Sequence, residues 1–249
     1  MEEKRTTSSL VVPDQGSKLS KKSQVTDMFD RIAGKYDFLN HFLSLGIDKT
    51  WRKRAIKELA KAQPNNLLDI ATGTADLAIG ASEVKGLGEI VGIDISEGML
   101  ELGRKKIEQR GLADRIRLEK ADGEQIPYPN DHFDAVSCAY GVRNFEHLEA
   151  GIQEMHRVLK PGGLLVILEF SQPRAFPIKQ GYAFYFKYML PAIGRLFSRH
   201  QSAYSYLPAS VAAFPQGKAF CDRLRQGGFR EPRALSLSFG VTHLYLARK

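Results

Sequence analysis

The order of residue patterns in this 249-residue chain predicts a single α/β domain with a mostly parallel sheet. Two observations carry that expectation. Past Pro64, short apolar runs rich in β-branched residues alternate with stretches of helical spacing, which implies parallel strands joined by right-handed crossovers. The composition, 43% hydrophobic and 26% charged, is that of an ordinary globular domain with its own core. The expected architecture is a seven-stranded sheet with a terminal antiparallel strand, N-terminal helices and a helical insertion after strand five.

Taken in order, residues 1–22 hold mainly polar residues and are expected to form a flexible tail, with one domain over 23–249. The tail lacks the apolar core of a signal peptide, and Glu2, Glu3 and Asp14 are unlike a mitochondrial leader. Val25, Met28, Phe29 and Ile32 recur at helical spacing, with Thr26 or Asp27 able to cap. Residues 36–42, rich in aromatics, read as an irregular or short helical bend. Asp48 caps a helix running to about Lys61, with Trp51, Ala55 and Leu59 on one face. Strands are expected at 67–71, 89–93, 116–120, 133–139 and 164–169. Helices follow from Asp76, from Ser96 to Arg110 with Gly111 as its stop, and from Leu148. That last helix should end in a turn at Lys160-Pro161-Gly162-Gly163. The chain closes with a helix near 216–225, a Gly227-Gly228 stop and two strands near 234–239 and 241–247, joined as a hairpin around Gly240.

The first strand runs into Asp69-Ile70-Ala71-Thr72-Gly73-Thr74-Ala75-Asp76, a small-residue turn opening a helix. Its spacing echoes the dinucleotide fingerprint with only one of three glycines in place. Asp69 and Asp76 flank it, and carboxylates there would repel a pyrophosphate and favour a cationic ligand such as S-adenosylmethionine, a sulfonium joined to an adenosine. Asp94, at the end of strand two and about twenty residues past the turn, is placed to accept both ribose hydroxyls. Asp122-Gly123 follows strand three, where a carboxylate can accept an adenine amino proton. Arg143-Asn144, past strand four, stands where open α/β sheets meet a second substrate. There Arg143 would stabilise a developing phenolate and Asn144 orient a hydroxyl or a water.

Met28-Phe29-Asp30-Arg31-Ile32-Ala33, Tyr36-Asp37-Phe38-Leu39-Asn40, the 69–76 turn, Gly141-Val142-Arg143-Asn144-Phe145, Arg157 to Gly163, and Tyr206-Leu207-Pro208-Ala209-Ser210 with Phe214-Pro215 together resemble the UbiE/MenG family. The resemblance covers about residues 25–249. It implies a Rossmann-like class I methyltransferase that uses S-adenosylmethionine to C-methylate a prenylated quinol ring in menaquinone or ubiquinone biosynthesis. It also implies cofactor contacts at Thr74, Asp94, Asp122 and Gly123. Ala139 stands where family members often carry serine, and the usual C-terminal pattern is altered over residues 240–249. An acceptor hydroxyl must lose its proton for the ring carbon to attack, and Tyr36, Asp37, Asn40, His41 and His200 are candidates for that relay. Demethylmenaquinol is the first expectation for the acceptor; a benzoquinol or another small lipophilic acceptor stays open.

The net charge of +8 is regional: residues 170–221 contain no Asp or Glu but carry Arg174, Lys179, Lys187, Arg195, Arg199 and Lys218. Within it, residues 173–208 form a basic aromatic segment, read either as a lid and interfacial anchor with transient membrane-surface contact or as a helical cap over the sheet. An RNA-binding protein of the same fold would also use basic residues beside aromatics, though no nucleic acid is expected. Cys138 and Cys221 form no metal or redox motif with the histidines, so no metal is expected and a reducing cytoplasm, with contact at the inner membrane face, fits. The sequence is compatible with a homodimer.

Overall fold

A computed structural model describes residues 11–44, 46–189 and 201–249, and among them the side chains other than those of residues 35–43, 186, 187 and 201–204. Strands β1 (Asn66–Ile70), β2 (Glu89–Asp94), β3 (Ile116–Lys120), β4 (Phe133–Ala139), β5 (Leu159–Phe170), β6 (Arg230–Leu237) and β7 (Thr242–Arg248) form one seven-stranded sheet. Its order is β3-β2-β1-β4-β5-β7-β6. The first five strands pair in parallel, and β7 runs antiparallel to both β5 and β6.

Alternation along the strands sends side chains to two cores. Leu164, Val166 and Leu168 of β5 join one face, with Trp51 and Leu59 of helix α2 (Ile47–Ala62), Leu77 of α3 (Asp76–Ala81) and Leu100 of α4 (Glu97–Gln109). Leu165 and Ile167 join the other, with Ile152 and Met155 of α5 (Leu148–Val158) and Phe220 and Leu224 of the helix Lys218–Gln226. After β5 come α6 (Ile178–Phe184), a π-helical turn over Tyr185–Met189, and α7 (Gln201–Ala213); Lys218–Gln226 is then α8. N-terminal α1 (Lys21–Leu43) packs on α4 and, through Val25 and Met28, on Tyr206 of α7.

The expected strands, their parallel order and the terminal hairpin are all present, and four local expectations are corrected. Asp48 lies inside the first turn of α2, whose cap position is Gly46, and does not cap it. The first helix begins at Lys21, so Thr26 and Asp27 sit inside it rather than capping it. Residues 36–42 continue that helix to Leu43 without a bend, as nothing from Lys35 to Leu43 is proline or glycine to interrupt it. Lys160 to Gly163 belongs to β5 instead of a free turn. Gly162, at φ 78°, and a register shift opposite Phe133 and Ala135 absorb the irregularity, while Gly162 and Gly163 exchange backbone hydrogen bonds with Lys249.

Strand order reverses between β1, which pairs with β2, and β4, so a crevice opens at the carboxyl ends of these two strands. The turns leaving them touch. A Cβ on Gly141 would lie 2.4 Å from the Cβ of Ala71 and 3.0 Å from Cys138 Sγ. Gly141→Ala is therefore expected to cost about 1–3 kcal/mol of stability by overpacking. Chemical denaturation measures this, and a variant as stable as the parent would show that the two turns do not constrain each other.

Candidate active site

The crevice between β1 and β4 forms a cleft. Ala71, Gly73, Gly123, Ala139 and Gly141 leave room along its strand-end side, Ile95, Met99 and Phe145 supply apolar walls, and Lys22, Val25 and Phe29 of α1 face it from above. Gly73, at φ 56°, takes a left-handed conformation that a side chain would strain, with its amide free to point at Asp94.

Asp94 is the acid that the turn is built on. Its Oδ2 accepts from the Gly73 N–H at 2.8 Å and its Oδ1 from the Ser96 N–H at 2.9 Å. Burial pushes its carboxyl pKa up against these bonds. Asp122 also lines the cleft. It accepts from the Glu124 N–H at 2.8 Å and pairs with Lys22 at 2.5 Å, and Lys22 lies 3.6 Å from Glu124. The Asp122 hydrogen bond holds the Lys22 ammonium pKa above its ordinary value. Asp30 ties α1 to the same end of the cleft, its Oδ1 accepting from Ser96 Oγ at 2.5 Å and from the Gly98 N–H at 3.0 Å.

The other expected donor-side residues point elsewhere. Asp69 is buried outside the cleft lining, its carboxylate accepting from Thr72 Oγ1 and Ser137 Oγ at 2.7 Å each. Thr74 is buried and accepts from Lys106 Nζ at 3.0 Å, and the same Lys106 pairs with Asp76 at 2.5 Å. The charges flanking the turn are thus engaged within the protein, and the cleft's acidity comes from Asp94, Asp122 and Glu124. Three carboxylates against one lysine among the described lining residues disfavour a pyrophosphate and suit a cationic donor joined to an adenosine. The apolar walls beside Asp122 and Gly123 suit its adenine.

On the acceptor side, Asn144 lines the cleft and Arg143 lies behind it. The Arg143 guanidinium pairs at 2.7 Å with Glu169, fully buried at the end of β5, and also donates to the Tyr140 carbonyl. It lies 5.5 Å from the Phe170 ring centroid; Phe170 stacks on Tyr140 at 4.4 Å, and Arg52 lies over the Tyr140 ring at 5.6 Å. Each of the two stacked rings beside the cleft thus carries a cation over it. Removing one partner of the Arg143–Glu169 pair would leave a buried charge, a cost of about 3–5 kcal/mol. The same loop is held from above, where Lys21 Nζ donates to the carbonyls of Arg143 at 3.1 Å and Phe145 at 2.7 Å. Burial, then Arg143, lowers the Lys21 pKa to about 8. Tyr206 donates to Asn144 Oδ1 at 3.2 Å.

Tyr36, Asp37 and His41 fall within α1, but their side chains, like Asn40 and all of His200, lie outside the described residues. Sequence reasoning missed Lys21, Lys22, Asp30, Glu169 and Tyr206. Asp30 and Tyr206 stood in the motifs that carry the family resemblance without a role assigned, and Glu169 carried a signal of its own, an acid ending a strand as Asp94 does. Among the described residues no group of His, Cys, Asp or Glu could hold a metal ion.

The sequence pattern of the ubiE/COQ5 methyltransferase family matches residues 17–249. The chain is 45% identical over 229 residues to the demethylmenaquinone methyltransferase of Bacteroides fragilis, covering 92% of this chain and 94% of that one. It is 45% identical over 230 residues to the ubiquinone/menaquinone biosynthesis C-methyltransferase UbiE of Geobacter sulfurreducens, covering 92% and 90%. Solved folds similar to it include a SAM-dependent methyltransferase from Thermotoga maritima (TM-score 0.57, 16% identity, 90% of this chain and 99% of that one). The [4+2]-cyclase SpnF also matches (TM-score 0.58, 18% identity, 93% and 97%). At these identities the likeness concerns the fold alone, a Rossmann-like sheet.

Burial, partly offset by the Ser137 and Thr72 hydroxyls, raises the Asp69 carboxyl pKa to about 6 from an ordinary 3.8. The folded chain therefore binds the extra proton between these values. The stability that protonated Asp69 contributes is complete below the lower value and lost as pH rises through the upper one. Asp69→Asn removes that dependence. Between about pH 4 and 7 the variant should gain on the parent by on the order of 1–3 kcal/mol. Urea unfolding at several pH values reads the difference, and a flat one would contradict the buried charge.

Proposed function

The chain belongs to the ubiE/COQ5 methyltransferase family, and on that premise we propose that it C-methylates demethylmenaquinol, a prenylated quinol, with S-adenosylmethionine as donor. The observation that carries this reading is the continuity of one cleft: the Asp94–Gly73 turn and the Asn144 loop line the same cavity, which supports a donor and an acceptor bound side by side. The name of the Bacteroides fragilis relative supports the naphthoquinol. That of the Geobacter sulfurreducens relative keeps the benzoquinol of ubiquinone biosynthesis as a second acceptor.

When bound, S-adenosylmethionine supplies an electrophilic methyl group, so the chain has to align an acceptor carbon, exclude water and help a ring hydroxyl lose its proton. Asp94, held by the Gly73 and Ser96 amides, is oriented to accept the ribose hydroxyls. Asp122 and Gly123 take the adenine edge, where Lys22 has to share the Asp122 carboxylate with it. Gly73 leaves the backbone open to the donor. Asp69 and Thr74 act behind the turn, through Thr72 and Lys106, in holding its shape. Asn144, steadied by the Tyr206 hydroxyl, orients the acceptor hydroxyl. The Arg143 charge, fixed by Glu169, favours the phenolate that forms when that hydroxyl ionises. Arg143 stays protonated and does not take the proton itself. Tyr36, Asp37 and His41 of α1 are the proposed acceptors of it. No helix among the described residues is long and apolar enough to cross a membrane. A prenyl tail partitions into a bilayer, so transient contact with a membrane surface belongs to the same reading.

Transfer of labelled methyl from S-adenosylmethionine to demethylmenaquinol and to the benzoquinol analogue, side by side, tests the acceptor; labelling of neither would overturn it. Asp94→Ala is expected to weaken S-adenosylmethionine binding at least about tenfold, the loss of a charge-assisted pair of hydrogen bonds. Asn144→Ala should lower kcat about a hundredfold with the donor Kd nearly unchanged. Calorimetry and steady-state kinetics separate the two, and a variant that moves the other parameter would reverse its assigned role.

A further inference from the structure

Large apolar side chains exposed at one end of the molecule are not accounted for by the cleft. Phe176 is 81% exposed and Phe239 78%, and Phe184, Tyr188 and Met189 are also exposed. All belong to the same edge of the sheet. Residues 176–189 follow the carboxyl end of β5, and Phe239 lies in the turn joining β6 to β7, whose ends pair Leu237 with Thr242 and Thr242 with Phe170. The carboxyl ends of β1 and β4, where the cleft opens, lie along that edge as well.

The Phe239 turn is held rather than loose. Ser238 and Phe239 have φ of 45° and 59°, a left-handed conformation that a bulky residue adopts only when its surroundings enforce it. Trp51 Nε1 donates to Ser238 Oγ at 2.9 Å on one side, and Ser171 Oγ donates to the Gly240 carbonyl at 2.6 Å on the other. These bonds fix the backbone of a turn whose aromatic ring stands in solvent. Beside it, Arg174, Lys218 and His243 share a hollow with Phe239; Lys218 is paired with Asp222 at 2.9 Å, and Lys179 lines the adjoining hollow with Arg174. No acid occurs between residues 170 and 221.

Resting on the prenylated acceptor assigned above, we propose that this edge docks on an anionic bilayer, with Phe176 and Phe239 entering the interface and Arg174 and Lys179 meeting lipid phosphates. Exposed aromatics over a surface where, among the described residues, Arg174, Lys179 and Lys218 outnumber the one acid, Asp222, match the two signals that hold a protein on a membrane without crossing it. The cleft, on the same edge, then faces the phase in which the tail resides.

Flotation of the full chain with vesicles of phosphatidylcholine alone, and of phosphatidylcholine with about one-third phosphatidylglycerol, tests the proposal. The expected result is binding to the anionic vesicles, reduced about tenfold in the Phe176→Ser/Phe239→Ser variant and in Arg174→Glu, and retained in Phe239→Trp. The double variant should keep the parent's activity on a water-soluble short-chain demethylmenaquinol and lose it on the long-chain quinol embedded in vesicles. Undiminished vesicle binding by the double variant, or no binding by the parent, would overturn the proposal. So would light scattering showing that the parent is a dimer and the double variant a monomer, which would make this edge a contact between two copies. Failure of the parent on both quinols, with anionic vesicle binding intact, would overturn the acceptor assignment and leave the docking edge standing.

Discussion

Asp94 accepts the backbone amides of Gly73 and Ser96, and this pair of bonds joins the turn after β1 to the exit of β2. The consequences spread outward. Ser96 caps α4 by accepting the Met99 N–H, and Asp30 of α1 reaches the Ser96 hydroxyl and the Gly98 amide, so the helix covering the cleft is anchored within two residues of the acid that lines it. A buried carboxylate is costly unless its oxygens are hydrogen-bonded, and here the bonds that offset the burial also shape the cleft.

The 141–145 loop rests on a second buried carboxylate with the opposite arrangement. Glu169 is paired with a cation, and the pair sits at the end of a stack running Arg143, Phe170, Tyr140, Arg52. Because Arg52 of α2 lies over Tyr140 and Lys21 of α1 holds the carbonyls of Arg143 and Phe145, both N-terminal helices contribute to holding residues 140–145. The turn after β1 and the 141–145 loop thus rest on different buried carboxylates, and Arg52, 3.9 Å from Asp76, links the stack to the turn. The SpnF likeness is one of fold alone, and the family assignment rests on the sequence pattern over 17–249 rather than on the fold.

The strands were legible because each apolar run is short, β-branched and closed by a small or acidic residue, and the acids at Asp94 and Asp122 could be placed from that rhythm alone. What escaped depended on partners remote in the chain. Nothing local to Asp69 and Asp76 announces that Ser137 and Lys106 will engage them, so the acidity expected of the turn came from Asp94, Asp122 and Glu124. Lys21 and Lys22 look like the end of a polar tail until a helix starting at Lys21 carries them to Phe145 and Asp122. The Lys160 to Gly163 run carries a turn signal, and only pairing with Lys249, nearly ninety residues on, turns it into a bulge within a strand.

The central claim is that this acidic cleft takes a cationic adenosyl donor rather than a dinucleotide. Titration calorimetry of the unmodified chain with S-adenosylmethionine, S-adenosylhomocysteine and NAD tests it most directly. The expected result is binding of the first two to one site per chain, competitively, with no heat from NAD. Binding of NAD with none of S-adenosylmethionine would contradict it.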